Sequence, residues 1–202
     1  MSTAKKSVLF ILLILVIDQI LKIWVKTHMQ IGDEIYMFGK RGMIHFIENN
    51  GMAFGMEFGG SIGKYILSIF RIIAIIGISW FLSSIIKKNV NLGFVLAVSA
   101  ILAGAIGNLI DSAFYGIIFS ESYTAPAVMF PPGGGYSSFL QGRVVDMLYF
   151  PIIQTHWPEW SPLRPGESFI FFRPVFNISD SAITCGVISI LIWQKKMFKD
   201  FS

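Results

Sequence analysis

Four apolar runs, at about 7–26, 62–86, 92–112 and 175–194, alternate with stretches where polar residues, glycines and prolines collect. A helix rises about 1.5 Å per residue, so about twenty apolar residues cover the roughly 30 Å of a bilayer's hydrocarbon core. The pattern therefore predicts a membrane all-α bundle of four transmembrane helices. The first run follows Lys5 and Lys6 as a signal peptide would, but no small-x-small cleavage pattern follows it, so an uncleaved first helix is expected. In the third run Ala100, Ala103, Gly104 and Gly107 have the spacing that lets helix backbones approach closely in lipid, which marks it as the central packing helix.

Between the first two runs the period shortens. Residues 27–60 hold two β-prone pieces, Asp33 to Met37 and Met43 to Glu48, around the turn-forming Gly39-Lys40-Arg41-Gly42. A small antiparallel sheet at the extracytoplasmic surface is expected there. It leads into Asn49, Asn50 and Gly51, where the backbone can come close to a ligand. Residues 113–174 are rich in glycine, proline and aromatic residues, including PPGGG at 131–135 and WPEWSPLRPG at 157–166. Tryptophan and tyrosine suit the membrane interface, so this stretch is expected to be a long extracytoplasmic loop within a single domain, 1–202.

Composition narrows the class. A chain of 202 residues that is 54% hydrophobic and 14% charged lies outside the globular balance and belongs in a membrane. Its net charge of +4 does not point to nucleic acid, because the lysines stand beside apolar runs and not on a basic face interleaved with aromatics. Lys5 and Lys6, Lys87 and Lys88, and Lys195, Lys196 and Lys199 fall on one side of the alternating loops. By the positive-inside rule both termini face the cytoplasm, and residues 27–60 and 113–174 face outward. The single cysteine, Cys185, excludes an intrachain disulfide and is expected to fill space in the last run.

The chemistry-bearing residues are few. Asp18 and Lys22 share a helix face at i,i+4, where each lowers the cost of burying the other, and structural support is favoured over direct chemistry. Arg71 lies within the second run and could snorkel outward or meet an acid. Asn-x-x-Asp occurs twice, as Asn108 with Asp111 and as Asn177 with Asp180. Asp146 and Asp180 stand beside membrane-length sequence, where a carboxylate is a functional hypothesis by default. Two carboxylates brought close do not both ionise easily; one keeps its proton, giving the acid and base that hydrolysis by water needs. No HExxH, GxSxG or CxxC occurs, and His28, His45 and His156 are scattered, so no metal or cofactor is expected. An ion-coupled carrier using the same carboxylates is the alternative, and a structural membrane protein a further one.

Five motifs in order, Asp18-Gln19 with Lys22, NNGMAF at 49–54, GNLID at 107–111, VVD at 144–146 and FNISD at 176–180, make the chain resemble the bacterial lipoprotein signal peptidases (signal peptidase II). The resemblance implies an aspartic endopeptidase of the bacterial cytoplasmic (inner) membrane. Its substrates would be diacylglyceryl-modified prolipoproteins, cleaved just before the lipidated cysteine near the extracytoplasmic face. Asp146 and Asp180 would be the catalytic dyad. Asn49, Asn108 and Asn177 would line the substrate site, and Asp18, Lys22 and Asp111 would support it. Membrane lipids are the other expected partners, and a monomer is expected. Two departures stand out: the family commonly has arginine directly after GNLID, where this chain has Ser112, and a longer insertion separates Asp111 from VVD. Arg143, three residues before Asp146, is expected either to bring a guanidinium to that place and bind substrate, or to anchor on lipid phosphates.

Overall fold

The structure is a computed structural model that describes residues 1–39, 41–51, 60–162 and 164–197. Lys40 of the expected turn, residues 52–54 of NNGMAF and Lys199 of the tail lie outside the described residues.

Among the described residues three apolar helices are long enough to cross a membrane: α1 (Thr3–His28), α2 (Gly60–Lys87) and α3 (Leu92–Ile110), the last prolonged to Ile118 by a π-helical turn (Asp111–Tyr115) and the single turn α4 (Gly116–Ile118). At the starts of α1 and α3 a short polar side chain accepts an otherwise unpaired N–H. Ser2 Oγ accepts from Lys5 N at 3.4 Å, and Asn91 Oδ1 accepts from Gly93 N at 2.8 Å. The lipid-length faces are apolar and unpartnered: Val8, Leu12, Val16 and Ile20 on α1, and Ile66, Phe70, Ile73 and Trp80 on α2, all point outward. A water-exposed surface would not carry so large an apolar area, and a bilayer does.

The fourth run forms α5 (Ile178–Met197), with non-helical geometry at Trp193 and an apolar part, Ile178–Trp193, shorter than the other three. Its expected start at 175 is corrected, because Val175 and Phe176 form a strand. Cys185 is exposed on α5 and fills no core space, which corrects that expectation too.

As expected, α3 is the packing centre, touching α1, α2 and α5. Lipid tails are as apolar as a protein core, so close contact and not expulsion of water holds such helices together. The glycines set the approach. A Cβ on Gly104 would lie 2.2 Å from the Ser179 carbonyl oxygen, and one on Gly186 would lie 2.6 Å from that of Ala97.

Four strands make one antiparallel sheet in the order β1 (Glu34–Tyr36), β2 (Met43–Asn49), β3 (Val144–Tyr149) and β6 (Val175–Phe176). A hairpin of β4 (Ile153–His156) and β5 (Ser168–Phe171) stands separately. Residues 27–60 thus supply only half of the sheet, and the stretch expected to be loop supplies most of the rest. The β2–β3 register sets Ile47 opposite Asp146, so Asn49, two residues along, shares the face of Asp146. Beneath the sheet Phe46, Val145 and Met147 pack with Val25, Met29, Tyr115 and Phe119, which joins it to the ends of α1 and α3.

Candidate active site

Lys22 is fully buried at the junction of these elements, and its ammonium has three acceptors, as many as it has protons. Asp18 Oδ2 lies at 2.9 Å, Asp111 Oδ2 at 2.8 Å and Asn108 Oδ1 at 3.1 Å. A buried charge is tolerable only when paired and hydrogen-bonded in this way. Each of the two carboxylates also accepts from a backbone N–H. Asp18 Oδ1 accepts from Ser179 N at 2.9 Å, and Asp111 Oδ2 accepts from Val145 N at 3.2 Å. Gln19 Nε2 joins them, donating to Asp18 Oδ2 at 3.1 Å and Asp111 Oδ1 at 3.0 Å, while Tyr115 Oη donates to its Oε1 at 3.1 Å. One cluster from α1 and the end of α3 therefore grips the residue before Asp146 and the residue before Asp180.

The two Asn-x-x-Asp motifs have different local roles. At the start of α5, Asn177 Oδ1 accepts from Asp180 N at 2.8 Å and Asp180 Oδ2 accepts from Asn177 N at 3.4 Å, a reciprocal cap that stations Asp180 in the first turn. At the end of α3 no such exchange forms. Asn108 instead spans the cluster and the site: its Oδ1 faces Lys22, and its Nδ2 donates to Asp180 Oδ1 at 2.8 Å.

Asp146 and Asp180 meet through these amides. Asn177 Nδ2 donates to Asp146 Oδ1 at 2.7 Å, and Asn49 Nδ2 donates to Asp146 Oδ2. Asp146 is buried, only 2% exposed, whereas Asp180 is half-buried. Burial, and then the charge of Asp180, push the Asp146 carboxyl up to about 7, against the opposing hydrogen bond from Asn177.

The cations fall differently from the sequence expectation. Arg143 is committed elsewhere: its Nη1 lies 3.1 Å from Glu48 Oε2 and 2.7 Å from Glu121 Oε2, and its guanidinium stacks over Tyr136 at 4.8 Å. The hydrogen bonds it donates to Glu121 push it above the ordinary guanidinium value. Lys26 pairs with Glu48 in the same group and adds a bond to Ser122 Oγ at 2.9 Å. The guanidinium beside Ser112 belongs to Arg71 on α2, whose Nη1 donates to Ser112 Oγ at 2.9 Å. Of the residues singled out from sequence, the structure gathers Asp18, Lys22, Asn49, Asn108, Asp111, Asp146, Asn177 and Asp180 and leaves Arg143 to one side. The place of Arg71 was not readable: an arginine inside an apolar run signals a buried partner without naming it.

A helical membrane protein with two aspartates held by asparagines, one buried and one half-buried, is thereby defined, and its relatives give its family. The family model described as Signal peptidase (SPase) II matches residues 10–196. A lipoprotein signal peptidase of Porphyromonas gingivalis is 49% identical over 183 residues, covering 90% of this chain and 79% of that one. One from Amoebophilus asiaticus is 38% identical over 184 residues, covering 90% and 74%. A bacterial membrane enzyme solved by the in meso method at 2.3 Å resolution superposes with a TM-score of 0.62 at 26% identity, covering 98% of this chain and 92% of that one. The chain belongs to the signal peptidase II family.

Proposed function

We propose that the protein cleaves diacylglyceryl-modified prolipoproteins just before the lipidated cysteine, as an aspartic endopeptidase with Asp146 and Asp180 as its dyad. Membership of the family makes it a membrane protease that removes signal peptides from prolipoproteins, and the carrier alternative finds no support in its relatives. The observation that carries the aspartic reading is the shared grip of Asn177 on both carboxyls, one of them raised to about 7.

The two environments suggest the division of labour. Asp180 lies in the first turn of α5, where the helix dipole favours an anion, and acts as the base that takes a proton from the attacking water. Asp146, buried and protonated, donates to the carbonyl oxygen as the tetrahedral intermediate forms. Collapse breaks the C–N bond: the proton taken by Asp180 passes to the leaving amine, and one hydroxyl of the gem-diol returns its proton to Asp146 as the carbonyl re-forms. The new acid's second oxygen comes from the water, so no covalent enzyme intermediate is required. Asn49, Asn108 and Asn177 hold the carboxyls in register; Asn108 and Asn177 are buried among their own partners, so the half-buried Asn49 is the amide placed to steady an extended peptide.

The same reading makes α5 a fourth span, with both termini cytoplasmic and the sheet and dyad near the extracytoplasmic face of the inner membrane. A substrate lipid anchored in the outer leaflet then meets the site without leaving the bilayer. Incubation of the purified protein with one prolipoprotein in lipidated and unlipidated form tests the proposal. Release of the signal peptide from the lipidated form alone is expected; equal cleavage of both would remove the lipid requirement.

A further inference from the structure

In the first half of helix α2, Lys64, Ser68 and Arg71 form a polar seam, at spacings of four and three that place all three on one face. That seam faces inward. Lys64 Nζ donates to Asn50 Oδ1 at 3.0 Å and to the Gln141 carbonyl at 2.7 Å, and Ser68 Oγ donates to the Leu140 carbonyl at 3.2 Å. Arg71 uses both arms of its fork, Nη1 on Ser112 Oγ at 2.9 Å and Nη2 on the Gly51 carbonyl at 2.8 Å. Two cations of one helix thus hold two consecutive residues, Asn50 and Gly51.

The glycine is matched to the guanidinium. Gly51 has φ +84°, and a Cβ there would lie 2.6 Å from Nη2 of Arg71, so only glycine lets the fork seat against this turn. The next link leads to the dyad. Gly51 N donates to Asn49 Oδ1, which turns the other end of that amide, Nδ2, onto Asp146 Oδ2. The chain of contacts is Ser112, Arg71, Gly51, Asn49, Asp146. The charges of Asp111, Asp180 and Asp146, from three different elements, also act on the guanidinium.

We propose that Arg71 is a positioning residue of the catalytic centre: its fork clamps the Asn49–Gly51 turn to Ser112, at the end of α3, and so keeps the Asn49 amide on Asp146. The proposal rests on the reading of Asp146 and Asp180 as the dyad. Lysine carries the same charge on a single nitrogen and cannot span the two acceptors in the geometry of a planar fork. Arg71→Lys is therefore expected to lower kcat/KM by about tenfold to a hundredfold, the scale on which small misplacements act. Its pH–rate profile should stay that of the wild type, because the positive charge facing Asp111, Asp146 and Asp180 remains and Lys22 is untouched.

The decisive experiment is a double-mutant cycle in purified, folded enzyme, with rates normalised to folded protein. If Arg71 acts through Asn49, the double variant of Arg71→Lys and Asn49→Ala is no more than about threefold slower than Asn49→Ala alone, since residues acting as a unit are not additive. Ser112→Ala, which removes one anchor of the fork, is the milder substitute where an Arg71 variant fails to accumulate, and a loss in the same direction is expected. Near-wild-type kcat/KM for Arg71→Lys, or independent multiplication of the two losses, would overturn the clamp. Asp146→Asn, run beside them, separates the two ideas: an active Asp146→Asn removes the dyad reading, whereas an inactive one beside a normal Arg71→Lys removes only the clamp.

Discussion

Asp18 Oδ1 accepts the backbone N–H of Ser179 at 2.9 Å, so a carboxylate in the first helix fixes the start of the helix that carries Asp180. The two residues are 161 apart in sequence. Their contact is possible because Gly107 leaves room between them: a Cβ there would lie 2.0 Å from Ser179 Oγ and 2.9 Å from Asp18 Oδ2. The position of Asp180 is thus set by one charge and one missing side chain, both far from it along the chain.

Lys22 is the counter-ion that makes this arrangement tolerable. Lys22→Met leaves Asp18 and Asp111 buried without their cation, and breaking such a pair costs about 3–5 kcal/mol. Thermal unfolding in detergent should show a large fall in midpoint, with loss of cleavage following loss of fold. An unchanged midpoint would mean that the cluster contributes little to stability.

The glycines of the α3–α5 contact should act at a distance from the chemistry. Gly104→Ala places a methyl 2.2 Å from the Ser179 carbonyl oxygen and 2.6 Å from Ile183 Cγ1, so backbone must move. Overpacking of this kind costs about 1–3 kcal/mol. A lower unfolding midpoint is expected for Gly104→Ala, whereas Gly77→Ala, which meets nothing within 4 Å, should leave it unchanged.

Asp146 makes stability depend on pH in a definite direction. Its carboxyl is raised from 3.8 to about 7, so between those values the native state holds a proton that the unfolded chain has released. Stability therefore falls as pH rises through that window and levels off above it, by an amount on the order of a few kcal/mol. Asp146→Asn removes this dependence. Whatever constant cost the amide brings, the midpoint of Asp146→Asn relative to wild type should be more favourable at pH 8 than at pH 4; a difference independent of pH would contradict the raised carboxyl.

The lysine distribution predicts topology. A reporter fused at the C-terminal tail or at residue 88 should be cytoplasmic, and one at residue 135 extracytoplasmic. Cytoplasmic exposure of residue 135 would reverse the orientation proposed for the dyad.

Much of this molecule was legible in its sequence, for reasons tied to period and charge. The long apolar runs announce helices, and carboxylates beside them are too costly to be idle. Gly104 and Gly107 announce close packing because small residues have few other reasons to recur in a membrane-length apolar helix. The sheet was only half legible: β2 pairs with β3, whose residues lie about a hundred positions away, and no local pattern in Val144–Tyr149 states that partner. Arg143 and Arg71 were harder still. A guanidinium reaches far enough to choose among several acceptors, so Glu48 and Glu121 could claim the first and Ser112 and Gly51 the second without leaving a trace in spacing.

The central claim is that Asp146 and Asp180 supply the acid and the base. It is tested most directly by single-turnover cleavage of a lipidated prolipoprotein by purified Asp146→Asn and Asp180→Asn, each checked for insertion and thermal unfolding. Asparagine keeps size and hydrogen bonding but can neither take up nor release the catalytic proton, so each variant should lose at least about a hundredfold in rate. Near-normal turnover by either folded variant would contradict the account and remove that residue from the dyad.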